Sequence, residues 1–416
     1  MNVRRSAAVL AATAVIGTAT PAVAADPSAS PSPSVAIPEG LYGTSDPTYD
    51  GVWRQSLALM AQNEVSVDPA DRAVAWLAAQ QCASGAFPAF RADTTKPCDA
   101  KVMVDTNMTA VAVQTLATLT DRYDAQVKKA VTWLKSVQNK DGGWGYSAGS
   151  ATDANSTSLV VGALAQAGVT VPNLRKEGKS PLDALWQLNL PCDSKDAGAF
   201  AYQPDKKGKL TANADATAAA VLGANGETLA GSLQDEADTS VGCREKEDDG
   251  LADVAADNGA AWLAKTLKKD GYLKSALPGS EDQPDYGNTA DAVVALASAG
   301  YNDQAAASLR WLEANAVKWA EQSGPAAYAQ LIFAAKAGRG DVHDFGGKDL
   351  VTLLNATGPA PSAVNSEPPT ASADDVKPSH KDDDGTLTVA WTVGGGLLLG
   401  ALIGFGLMLR GRKRQQ

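Results

Sequence analysis

Three observations predict an all-α fold built as a ring of helix pairs. The stretch 129–168, KAVTWLKSVQNKDGGWGYSAGSATDANSTSLVVGALAQAG, reads as two helices folded back on one another. That unit recurs along the chain, and self-similarity at a fixed period outweighs any single motif in deciding a fold. Finally, the second helix of the unit is apolar nearly all round, so it is buried on both sides and belongs inside the ring.

Within the unit, Ala130, Val131, Leu134 and Val137 recur at helical spacing up to Asn139. Asp141-Gly142-Gly143 ends this helix, because glycine adopts the left-handed cap that other residues resist. Trp144 and Tyr146 follow and can plug the gap between paired helices. Asp153 or Asn155 opens the second helix as a side-chain cap, and Gly168 closes it. The same features repeat. Tryptophans stand at 76, 133, 186, 262 and 311, and glycine-aromatic turns at Gly85/Phe87, Gly142/Trp144, Gly198/Phe200 and Gly271/Tyr272. The second helices open with Asp105-Asn107-Thr109, Asp153-Asn155-Thr157, Asn213-Asp215-Thr217 and Asp285-Gly287-Thr289. A fifth copy is degenerate, with Gln322, Gly324 and Ala326 in those places.

KAVTWLKSVQNKDGGW resembles the QW repeat of squalene cyclases and prenyltransferase β subunits. RAVAWLAAQQCASGAF, from Arg72 to Phe87, is similar, with Phe87 in place of the last Trp. Later copies depart from the pattern, since Pro191 and Leu267 sit where Gln would fall. The resemblance implies an α/α toroid of five to six helix pairs over roughly 41–356. Cyclases, lyases, complement-type thioester domains and cobalamin carriers share this architecture, so function must be read from the site.

From the start of the chain, residues 1–24 read as a secretory signal, with Arg4 and Arg5, an apolar core from Ala7 to Ile16, and Ala22-Val23-Ala24 as the cleavage site. Residues 25–40 form a Pro/Ser-rich linker, 41–356 the toroid, and 357–386 a disordered acidic stalk. Residues 387–409 are uncharged and long enough to cross a bilayer as a single helix, and 410–416 form a basic cytoplasmic tail. The toroid is thereby expected outside the cell membrane. Gly396, Gly400 and Gly404 would permit close helix pairing, although a monomer is expected. No Leu-Pro-x-Thr-Gly precedes the span, so a retained anchor is expected over a sortase signal. Removing the six basic residues of leader and tail takes the formal charge from −11 to −17, a poor surface for nucleic acid or anionic lipid.

Four cysteines allow three disulfide pairings in an oxidising compartment. Cys82 and Cys192 each stand six residues after a repeat tryptophan, at equivalent ends of outer helices. Each can tie down the insertion beside it, giving Cys82–Cys98 and Cys192–Cys243. Metal binding is not expected, with no Cys-x-x-Cys and only His343 and His380.

The toroid enzymes can be tested one at a time. The cyclase Asp-x-Asp-Asp acid is missing, and Glu247-Asp248-Asp249 and Asp382-Asp383-Asp384 read as solvated runs. His343 lacks the Asp-x-Cys partner of a prenyltransferase zinc site. Lys246 stands where the thioester Gln would be, in Gly242-Cys243-Arg244-Glu245-Lys246. The Asp153 stretch also fails as a calcium loop, with Ser158 and Leu164 at the required Gly and Glu positions. The helix openings remain, and in a closed ring they gather at one mouth. Capping alone accounts for part of the pattern, at roughly 1 kcal/mol per cap. A mouth ringed by amides, hydroxyls and carboxylates can also hold a polar ligand. Val104-Asp105-Thr106-Asn107-Met108-Thr109-Ala110 and Tyr286-Gly287-Asn288-Thr289-Ala290 resemble helix openings in cobalamin carriers of the intrinsic factor and transcobalamin type. That resemblance implies a non-enzymatic carrier with cobalamin as the ligand and a second protein, such as a transporter, to close the site.

The expectation is a membrane-anchored extracellular binding protein, without required cofactor or catalytic residues. Its ligand residues are Asp105, Asn107, Asp153, Asn155, Asp215, Asp285, Tyr286 and Asn288. A secreted carbohydrate-active or cyclase-like enzyme and a protein-interaction scaffold are the alternatives.

Overall fold

A computed structural model describes residues 36–119, 121–237, 242–245, 250–276 and 280–362. In chain order its helices are α1 (Gly51–Glu64), α2 (Asp71–Ala79), α3 (Thr106–Leu119), α4 (Asp124–Ser136), α5 (Ala154–Gln166), α6 (Pro181–Trp186), α7 (Ala214–Asn225), α8 (Leu251–Leu267), α9 (Tyr286–Ser298), α10 (Asn302–Asn315), α11 (Val317–Ser323), α12 (Pro325–Ala337) and α13 (Leu350–Asn355). Helices α1, α3, α5, α7, α9 and α12 pack in that order, and α12 returns to α1. This closed inner cycle is the expected α/α toroid. The outer helices lie against it: α2 on α1, α4 on α3, α6 on α5, α8 on α7, α10 on α9, and α11 and α13 on α12.

The composition of each helix explains its layer. On α5 the buried set runs from Ala154 through Thr157, Val160 and Ala163 to Leu164, on every side of the helix. On α4 only Val127, Ala130 and Leu134 are buried, one stripe at helical spacing. Inside, the bore is filled rather than open. Leu57, Val111 and Phe333 are 0–2% exposed, and Leu159 and Leu222 no more than 7%. The segment after α7 packs against the far ends of the inner helices: Leu229 donates its N–H to Gln114, and Gln234 donates to the Ala297 carbonyl.

The ring closes where the ends of its chain meet. Gly43 donates to the Thr357 carbonyl, the Tyr42 hydroxyl to that of Pro359 at 2.9 Å, and Gln62 to Asn355 at 2.7 Å. Ser362 bonds back to Asp68 and Pro69. Residues 357–362, read from the sequence as the start of the stalk, are thus packed onto the ring. Both disulfides form as read, Cys82–Cys98 and Cys192–Cys243, with Cα separations of 5.6 and 5.5 Å.

Among the described residues no helix is long and apolar enough to cross a membrane. The signal at 1–24 and the apolar run at 387–409 lie outside the described residues, as does nearly all of the stalk.

Candidate functional site

One local device fixes the start of four inner helices. The residue two after each turn glycine is buried, and its N–H is accepted by the threonine of the following helix. The pairs are Phe87–Thr109, Trp144–Thr157, Phe200–Thr217 and Leu273–Thr289, at 2.9–3.0 Å. Two-residue ladders, β1 (Phe87–Pro88) with β2 (Val104–Asp105) and β3 (Leu273–Lys274) with β4 (Pro284–Asp285), set the plug opposite the cap residue. In the fourth copy the plug is therefore Leu273 and not Tyr272, which instead stacks on Trp311 at 4.5 Å. The turn glycines are obligatory. Gly142 has φ 93°, and a Cβ there would lie 2.3 Å from the Ser180 carbonyl of the next helix pair.

The cap residues then do what their chemistry predicts. Asp105, Asp153, Asn213 and Asp285 each accept the N–H three residues on, at 2.7–3.1 Å. The fifth copy has no side-chain cap: Gly324 takes the cap position with φ 84°, followed by Pro325.

Beyond capping, the copies diverge. Asp105 is 6% exposed, and its second oxygen accepts the Tyr146 hydroxyl at 3.3 Å. Asp153 is fully buried, and its second oxygen accepts from the Ser156 hydroxyl at 2.9 Å, with the Tyr202 phenol beside the carboxylate. Burial raises the Asp105 carboxyl to about 7 and the Asp153 carboxyl to about 6, and raises both phenols. The tyrosines stay partly exposed, at 46% and 42%, each lying against the preceding helix opening.

On the other side of the mouth, the carboxylates meet amides. Asn155 donates to Asp215 at 2.6 Å, and Gln330 donates to both oxygens of Asp291 at 3.1 Å. Asn288 holds Asp285 with its backbone and its side-chain amide, the latter at 2.8 Å. Asp215, Asp285 and Asp291 lie near enough to repel one another. Burial first, and then these neighbours, raise Asp291 to about 7, and Asp215 is raised for the same reasons. Among the described residues no salt bridge reaches any of the three. The Oδ1 atoms of Asn107 and Asn155 are shielded from solvent and accept no hydrogen bond. Tyr286 lies between Trp311 and Trp319, with ring centroids 5.4 and 5.7 Å away.

Of the residues expected from the sequence, Asn155, Asp215, Asp285, Tyr286 and Asn288 thus sit with Asp291, Gln330 and Trp319. Asp105 and Asp153 are sealed by tyrosines into the frame beside them. Asp291 and Gln330 were missed because each lies inside an apolar helix, one turn past its opening. Their only sequence signal is a polar residue four after Gly287 and four after Ala326. Among the described residues no three His, Cys, Asp or Glu side chains converge as metal ligands.

The comparisons with known proteins bear on this repeat. Residues 104–187 match the family model of the squalene-hopene cyclase C-terminal domain, a stretch that holds α3 to α6 with their turns. A crystal structure of a protein from Actinoplanes is similar at 16% identity, covering 73% of this chain and 95% of that one, with a TM-score of 0.46. No curated protein matches. Neither likeness bears on cobalamin carriers. Through residues 104–187 the chain is similar to squalene-hopene cyclases, with the prenyltransferase/squalene oxidase repeat fold.

Proposed function

We propose that this chain is a non-catalytic binding protein that holds a polar ligand rich in N–H donors at the mouth of its toroid. The layer of Asn155, Asp215, Asp285, Asp291 and Gln330 carries the reading, because it presents carboxylate and carbonyl acceptors over a filled apolar bore. A cyclase would need that bore open to fold an apolar substrate, which disfavours the enzymatic alternative. Cobalamin, whose periphery carries primary amides, is one ligand of the required kind. The leader and apolar segment expected from the sequence would place the toroid on the outer face of the cell membrane. The two disulfides suit that compartment. A transporter or second protein would then close the mouth from above.

A scaffold for other proteins is the second reading. The filled bore favours it, as do exposed Tyr49, Met103, Tyr146 and Tyr202 beside the helix openings.

Single replacement of Asp105, Asp153 and Asp215 by Ala, followed by calorimetric titration with cobalamin and with ligands that co-purify from the native host, tests the proposal. Asp215→Ala should weaken binding by about 1.5–3 kcal/mol, the worth of a hydrogen bond to a charged group. Asp105→Ala and Asp153→Ala should mainly lower the melting temperature. Binding unchanged in all three variants would leave Asp105 and Asp153 as caps alone and Asp215 as a partner of Asn155, and would move the ligand elsewhere.

A further inference from the structure

Three features of the mouth constrain its ligand further than polarity does. The first is uncompensated charge. Asp215 from α7 and Asp285 and Asp291 from the start of α9 repel one another, while the donors they have, Asn155, Asn288 and Gln330, are neutral amides. Holding several carboxylates together without a cation is costly, and a bound positive charge removes that cost.

The second is an unused acceptor. Asn155 spends its NH2 on Asp215 at 2.6 Å. The Asn155 Oδ1 is thereby left shielded and without a donor. An acceptor buried in this way is costly unless something supplies the hydrogen.

The third is a notch. Where the other copies carry Asn107, Asn155 and Asp215, the fourth carries Gly287. A Cβ on Gly287 would lie 3.5 Å from the Gln330 amide and 3.6 Å from the Trp319 ring. The space that a side chain fills elsewhere is here walled by an amide and an indole, with Asp285 two residues before it and Asp291 one turn beyond. The indole adds an electron-rich surface of the kind that attracts cations.

We infer that the mouth takes an organic cation, a primary alkylammonium whose chain enters at Gly287 and whose nitrogen reaches Asp215 and Asp291. The three hydrogens on its nitrogen match the acceptors available, and a slim alkyl stem suits a notch one side chain wide. A bare metal ion suits it less well, because no three ligating side chains converge among the described residues. The same group occurs on free polyamines and on lysine side chains of polypeptides. This inference rests on the ligand-binding reading of the mouth and narrows it.

The test is calorimetry on the full chain with cadaverine, Nα-acetyl-lysine methylamide, 1-pentanol as the neutral analogue, and cobalamin. Cadaverine or the lysine amide should bind at least about tenfold more tightly than pentanol, the factor expected for a charge-assisted hydrogen bond. The tighter of the two identifies the source as free amine or polypeptide. Asp215→Asn and Asp291→Asn should each weaken that binding about tenfold, whereas Asp71→Asn on the outer helix α2 should leave it unchanged. Gly287→Asn should abolish it while the melting temperature stays near that of wild type, since the new Cβ makes only ordinary contacts. Cobalamin binding without ammonium binding would overturn this inference and leave the ligand-binding reading intact. Equal affinity for cadaverine and pentanol would overturn it as well. Binding of none of the four probes would count against both.

Discussion

Around α3 and α5 the aspartates that open the inner helices are sealed, whereas around α7, α9 and α12 the carboxylates stand among amides. Asp105 and Asp153 each spend one oxygen on a helix N–H and the other on a hydroxyl, that of Tyr146 for Asp105 and that of Ser156 for Asp153. Among the described residues Asp215 accepts from Asn155 and Asp291 from Gln330, and the two carboxylates still press on one another electrostatically. Both sectors derive from one repeat and share the threonine clasp. The difference lies in position: Asp105 and Asp153 are caps, each beside the tyrosine of the next turn, whereas Asp215 stands two residues past the cap Asn213 and Asp291 six past the cap Asp285. A repeat can therefore keep its frame constant while carboxylates placed beyond the cap positions gather at the mouth.

Replacement of Asp153 by Ala should break the comparison hardest. It removes a cap and leaves the buried N–H and hydroxyl of Ser156 without their acceptor, so urea unfolding should show a loss of about 2–3 kcal/mol. Next come Thr157→Val and Thr289→Val, one clasp from each sector. Each strands a buried plug N–H, and each should cost about 1–2 kcal/mol. Similar losses would show that the frame is shared, and a large difference would show that the sealed sector alone holds the ring.

The pH dependence sharpens the contrast. Asp105 and Asp291 reach about 7 and Asp153 about 6, each from an ordinary 3.8. These groups hold protons more tightly folded than unfolded, so between about pH 4 and pH 7 the native state binds more protons. Their contribution to stability is full at the acid end and is lost as pH rises through the folded values. Melting curves across that window should show a shallower decline for Asp105→Asn and Asp291→Asn than for wild type. The smallest expected effect is on stability at neutral pH in Asp291→Asn, within about 0.5 kcal/mol, because the loss of charge repulsion offsets a weaker bond to Gln330.

The helix pairs, the caps and both disulfides were legible in the sequence because each rests on contacts among near neighbours or on a strict repeat. The plug in the fourth copy was misassigned because Tyr272 is the more conspicuous residue, although spacing from Gly271 points to Leu273. The opening of α1 escaped notice. Its Asp50 pairs with Arg54 at 3.1 Å, and Arg54 stands where the other copies have threonine. That Val52 donates its N–H to the Ala89 carbonyl becomes evident only in three dimensions. The meeting of Asp291 with Asp215 and Gln330 depends on three helices far apart in the chain, and no local pattern encodes it.

The closure of the ring has a topological consequence. Residues 40–43 and 357–362 both rest on the α1–α2 pair, so the first and last described segments lie side by side. A circular permutant that joins these segments and opens between Lys206 and Lys207, in an exposed loop, would keep each inner helix between the same two neighbours. For this fold the order of the pairs around the circle matters, and the point at which the ribosome begins reading it does not.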